Sequence, residues 1–98
     1  MNSPEKRYIK GDELTTRVIA GETLVVPVRS RVGDLDSIYT LNEVASRVWQ
    51  LINEGVTASR IAGIVSEEYE VEATEAERDV SELLAFMEEA GLIRAVEG

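Results

Sequence analysis

Residues 74 to 93, TEAERDVSELLAFMEEAGLI, set Glu75, Glu77, Asp79, Glu82, Glu88 and Glu89 against a single base, Arg78. Carboxylates at helical spacing can hold a hard cation such as Mg²⁺ or Ca²⁺, or act in proton transfer. The rest of the 98-residue chain gives them little to work with. It has no His and no Cys, so His-based acid–base work, Ser-His-Asp triads, His or Cys zinc sites and thiolate chemistry are closed. None of the acidic residues follows the EF-hand loop pattern, and no glycine-rich phosphate loop is present. A self-sufficient enzyme is not expected, and no catalytic, metal or cofactor residue is assigned. Binding remains, and charge limits what can be bound.

The net charge of −9 is unevenly placed. Residues 1 to 31 hold six basic and four acidic residues, and residues 32 to 98 hold four basic and fifteen acidic ones. Affinity for DNA comes largely from Lys and Arg that displace counterions from phosphates, so the acidic part would repel a duplex. A partner that meets the helices is expected to be neutral or basic. No apolar run approaches the roughly 18 to 20 residues that span a bilayer, and MNSPEKRYIKGDEL has no secretory h-region. With no cysteine to form disulfides either, a cytoplasmic location is expected, with neither membrane nor nucleic acid as partner.

Three strands and three helices must position these residues. Residues 1 to 14 read as a flexible tail, and 15 to 98 as one domain. TTRVIA and TLVVPVR are rich in β-branched residues and meet at Gly21-Glu22, a plausible hairpin turn. Pro27 argues for an edge or a bulge at its position. DSIYTL, residues 36 to 41, makes a third strand and runs almost directly into a helix. That helix is expected from Asn42, a good N-cap, to about Asn53, with Val44, Ala45, Val48, Trp49, Leu51 and Ile52 facing inward. Trp49 lies mid-face and is read as core. Thr57 caps a second helix that ends near Tyr69, with Ile61, Ala62, Ile64 and Val65 inward. The third opens at Thr74 with Glu77 three residues on, a capping box in form, and closes at Gly91 before LIRAV, a short terminal strand or tail. Three short antiparallel strands followed by three helices make an α+β fold, winged helix-turn-helix-like in its last helix pair.

The third helix has more apolar face than a core needs. At about 100° per residue, Ala76, Leu84, Met87 and Gly91 cluster around Val80 as a core seam. Leu83 lies to one side, and Phe86 and Ala90 lie further round, with Asp79 between them. The apolar arc reaches about 160°, against a stripe of roughly 100° for an ordinary surface helix. Either a small domain buries a wide face, or Leu83 and Phe86 line a cleft beside the core seam. Met87 suits both roles, because a flexible thioether fills core gaps and adapts to ligands. If residues 36 to 40 form a free sheet edge, an extended peptide could add to it by β-augmentation and lay side chains in the cleft.

The run YTLNEVASRVWQLINEGVTASRIAGIVSEEYEVEATEAERDVSELLAFMEEAGLI resembles the PqqD family. The resemblance is carried by Tyr39, Leu41 and Asn42 entering the first helix, by Trp49, and by Thr57 and Ile61. Glu67 to Val71, Ala76 to Val80 and Gly91 to Ile93 complete it, over about residues 15 to 95. Before Thr40 the chain has Asp36-Ser37-Ile38-Tyr39, where many members carry a Gly-x-Tyr-Tyr run. The resemblance implies a non-catalytic peptide chaperone, the recognition element of a ribosomally made, later modified peptide (RiPP). Such a module binds the precursor's leader as an added strand and presents it to a modifying enzyme such as a radical-SAM protein, as in pyrroloquinoline quinone synthesis. By position it implies peptide contacts at Asp36, Ser37, Ile38, Tyr39 and Thr40 on the strand and at Asp79, Leu83, Phe86 and Met87 on the helix. Two alternatives share the fold: a winged-helix DNA-binding regulator, which needs a basic surface, and a docking domain for a folded enzyme.

Overall fold

The computed structural model describes residues 6–11, 14–27 and 38–96. Its elements run β1 (Arg7–Lys10), β2 (Leu14–Ile19), β3 (Glu22–Pro27), β4 (Tyr39–Leu41), α1 (Glu43–Leu51), α2 (Ala58–Tyr69), α3 (Ala73–Glu89) and β5 (Ile93–Val96). The expected three-stranded antiparallel sheet is present, in the order β2-β3-β4. Ile19 pairs with Glu22 across a two-residue turn whose residues, Ala20 and Gly21, have φ of 54° and 84°. Positive φ at both central positions is the type I′ geometry that matches the twist of a hairpin. β3 is the central strand, yet it holds Pro27, because Pro27 is its last residue and costs the ladder little there. β2 stands out from the body as a wing, with only Leu14 partly covered.

The helices start where local chemistry stops the strand or loop before them. Asn42 follows β4 directly, and its Oδ1 accepts from the Ala45 amide at 2.9 Å. Thr57 Oγ1 accepts from the Arg60 amide at 3.1 Å. Both groups satisfy amides that a helix start leaves without partners. The capping box at Thr74 does not form: α3 begins one residue earlier, at Ala73, and its cap position, Glu72, makes no side-chain cap bond. Between α2 and α3, Glu70 turns the chain in the left-handed region, while Ser66 Oγ donates to the Val71 carbonyl at 2.6 Å. On the surface, Arg47 of α1 grips Glu68 of α2 through both carboxylate oxygens, at 2.8 and 2.9 Å.

The core lies between the sheet and the three helices. Val25, Leu41, Val48, Trp49, Ile61, Val65, Val80, Leu84 and Met87 are all buried within it. Ile64, expected to face inward, is only partly buried at its border.

Residues 7–10 differ most from the sequence reading, which placed them in a tail. They form β1, paired antiparallel with β5 from Arg7↔Val96 to Lys10↔Ile93. On its other side β1 is stitched to the α1–α2 loop. The Lys10 amide donates to Asn53 Oδ1 at 2.7 Å, the Ala58 amide to the Lys6 carbonyl at 2.9 Å, and Arg7 Nε to the Gly55 carbonyl at 2.9 Å. Tyr8 is 3% exposed, and Lys10 Nζ lies 4.8 Å from the centre of the Trp49 ring. No helix among the described residues is long and apolar enough to cross a membrane.

Candidate functional site

β4 is an outer strand of its sheet, bonded to β3 on one side through Thr23↔Leu41, Leu24↔Thr40 and Val25↔Tyr39. Its side chains alternate as a half-buried strand requires. Leu41 is buried and Tyr39 partly so, while Ile38, just before the strand, and Thr40 are exposed. Across from it, α3 presents the two-sided face that its spacing suggested. Val80, Leu84 and Met87 are buried, Leu83 is half-buried against the core, and Phe86 is 50% exposed. The two elements meet through Tyr39 and Phe86, whose ring centres lie 6.1 Å apart with the planes at 73°. That edge-to-face contact is a favoured aromatic geometry. It leaves half of Phe86 open beside the outer strand. Phe86 and Ile38 both belong to the large apolar side chains left exposed among the described residues.

The sequence-assigned residues therefore divide. Tyr39 and Phe86 are brought into contact, with Leu83 one turn along the same flank, and Ile38 is 54% exposed beside Tyr39. Thr40 points away from the face shared by Tyr39 and Leu41. The Asp79 side chain is 48% exposed, with Oδ1 4.0 Å from Arg78 Nε. Met87 is 0% exposed, so it belongs to the core seam that the wheel gave it and not to the open flank. Asp36 and Ser37 lie outside the described residues. The large exposed apolar side chains on the wing, Val18 and Ile19, were not singled out from the sequence. They sit in a strand pattern that also fits a half-buried sheet, and only the projection of β2 exposes them.

Among the described residues β4 has a strand partner on one side only, so one wall offers backbone amides and carbonyls and the other apolar side chains with a carboxylate. Those groups suit the binding of an extended chain. Among the described residues no group of three or more acidic side chains gathers as a metal site would need.

A family described as coenzyme PQQ synthesis protein D (PqqD) matches residues 22–93, from the start of β3 to the first residue of β5. The chain belongs to the PqqD family. Of this PqqD-family chain, β1 and β2 precede the matched residues, whereas the whole candidate site falls inside them. No curated protein matches the chain. Two solved structures share its fold. One, described as TbiB1 in complex with the TbiA(beta) leader peptide, has a TM-score of 0.76 at 22% identity, covering 92% of this chain and 99% of that one. The other, a lasso peptide synthetase B1 complexed with the leader peptide, has a TM-score of 0.75 at 25% identity, covering 93% and 99%.

Proposed function

We propose that this chain is a non-catalytic peptide-binding module. It takes the leader of a ribosomally made precursor as an added strand on β4, packs it against α3, and presents it to a modifying enzyme in the cytoplasm. A radical-SAM protein is the class of enzyme that the family resemblance favours. The observation that carries the reading is the outer position of β4, which among the described residues pairs only with β3, beside a half-exposed Phe86 in edge contact with Tyr39. Backbone hydrogen bonds to the strand edge supply affinity in such a mode, and pockets for alternate side chains supply selectivity. The two structural neighbours support it, since both were determined with a leader peptide. The acidic second and third helices argue against DNA as the ligand.

Titration of labelled protein with the leader of a precursor peptide tests this directly. Amide shifts confined to residues 38–41 and 79–90 are expected, and shifts confined to the wing or the α1–α2 loop would reject the groove. Phe86→Asp is the more informative variant. It removes a half-exposed apolar contact without opening the core, so peptide affinity is expected to fall at least about tenfold, while stability drops only by the lost edge contact with Tyr39, about 0.5 to 1.5 kcal/mol. Leu83→Asp is expected to lower both, because Leu83 also packs on the core.

A further inference from the structure

The flank of α3 beyond the core seam is not uniform along its length. On the wheel Leu83, Asp79, Phe86, Glu75 and Glu82 follow one another around it. Along the axis, Glu75 and Asp79 stand toward the N-terminal end, and Glu82, Leu83 and Phe86 in the C-terminal half. Glu75 has an ordinary explanation, since an acidic residue in the first turn complements the helix dipole. Asp79 lies beyond that turn, where the effect has died away. Among the described residues of the opposite wall, Ile38, Tyr39, Thr40 and Leu41 carry no charge that could balance it. On α3 the one base, Arg78, lies four residues before Glu82 on the same side of the wheel, and its Nε is 4.0 Å from Asp79 Oδ1 with both side chains largely exposed, so it offers Asp79 only a weak, solvent-screened partner.

We propose that this groove selects peptides with a lysine or arginine within about four residues of the apolar side chain that docks on Leu83 and Phe86, the charge being read by Asp79 and, further along, Glu75. This rests on the peptide-binding reading above and adds the chemistry of the ligand. An extended chain presents side chains to one side at every second residue, about 6.8 Å apart, while one turn of α3 advances about 5.4 Å. In a strand lying along α3 with its anchor at the level of Leu83, the side chain two positions away falls near Asp79. The side chain four positions away falls near Glu75. A basic residue at either place gains an opposite charge, and an acidic one meets repulsion at the point of docking. Charges on the rim of an interface act this way on selectivity and encounter rate.

The test is a display selection of random peptides roughly ten residues long, enough at about 3.4 Å per residue to cover α3. The full chain and its Asp79→Lys variant serve as baits. The replaced side chain is 48% exposed, so the variant keeps its fold. Peptides enriched on the original chain are expected to carry Lys or Arg two or four positions from an aromatic or aliphatic anchor. Changing that base to Glu is expected to weaken binding about tenfold at low salt, and less at high salt. The variant is expected to reverse the preference two positions from the anchor. Enriched peptides that shift residues 38–41 and 83–90 but show no charge bias, and bind both baits equally, would overturn the charge rule while leaving the groove standing. Peptides that leave those resonances unmoved, or no enrichment at all, would overturn the rule together with the groove.

Discussion

Leu83, Phe86 and Met87 stand within about one turn of α3 and meet three different surroundings: half-buried, half-exposed and fully buried. The 3.6-residue period made this legible, because it alone separates Met87 from Phe86 by most of a third of a circle. The family resemblance grouped them, and here periodicity is the better guide to where each side chain points. Met87→Ala is accordingly expected to cost about 2 to 5 kcal/mol in urea unfolding, with peptide affinity of the folded fraction little changed. Tyr8 carries a different prediction. Its hydroxyl is buried with no hydrogen-bond partner among the described residues, and burial, aided by the charge of Glu88, holds its pKa above the ordinary 10.0. A raised pKa means that the folded state favours the neutral phenol. Its contribution is therefore complete below pH 10.0 and lost as the pH climbs through the higher folded value. Tyr8→Phe is expected to abolish that alkaline loss, seen as urea midpoints near neutrality and above pH 10. Because the hydroxyl is unpartnered, the variant should match or exceed the original near neutrality, by up to about 1 kcal/mol.

Among the elements, the helix starts show what local sequence can and cannot announce. Asn42 and Thr57 sit between an extended residue and an apolar helical run, and both cap as their chemistry suggests. Thr74 and Glu77 have the same form, but the chain is already helical at Ala73, so the hydroxyl has no cap position to fill. The hairpin was legible from Gly21, although the turn falls one residue earlier than Gly21-Glu22. Ala20 supplies the other positive φ, a conformation that its Cβ disfavours by about 1 to 2 kcal/mol. Ala20→Asn is expected to relieve part of this, since Asn tolerates the left-handed region and Asn-Gly favours a type I′ turn. A gain of about 0.5 to 1 kcal/mol would raise the melting temperature by a few degrees in a domain of this size. β1 left no local signal, because four residues of mixed character form a strand only when a partner about ninety positions away arrives.

The molecule as a whole is bound at both ends, which a flexible N-terminal segment would not be. Removing residues 1–11 would strip Tyr8 from the core, free one side of β5 and release the α1–α2 loop from its backbone bonds. Burial of the Tyr8 side chain alone is worth about 1.5 to 3 kcal/mol, so the truncated chain is expected to unfold at a clearly lower denaturant concentration. An unchanged midpoint would mean that the first residues are dispensable. The segregation of charge was visible in the sequence at this scale, but its placement on one wall of a groove needed the fold. The β1–β5 pairing also fixes an order of events. Arg7 joins Val96 only by closing a loop of nearly the whole chain, the largest entropic cost in this topology. During synthesis β1 emerges first and its strand partner last. While the helices gather, Tyr8 must wait for the strand that completes its cover, and the fold finishes as a clasp closing over structure already made.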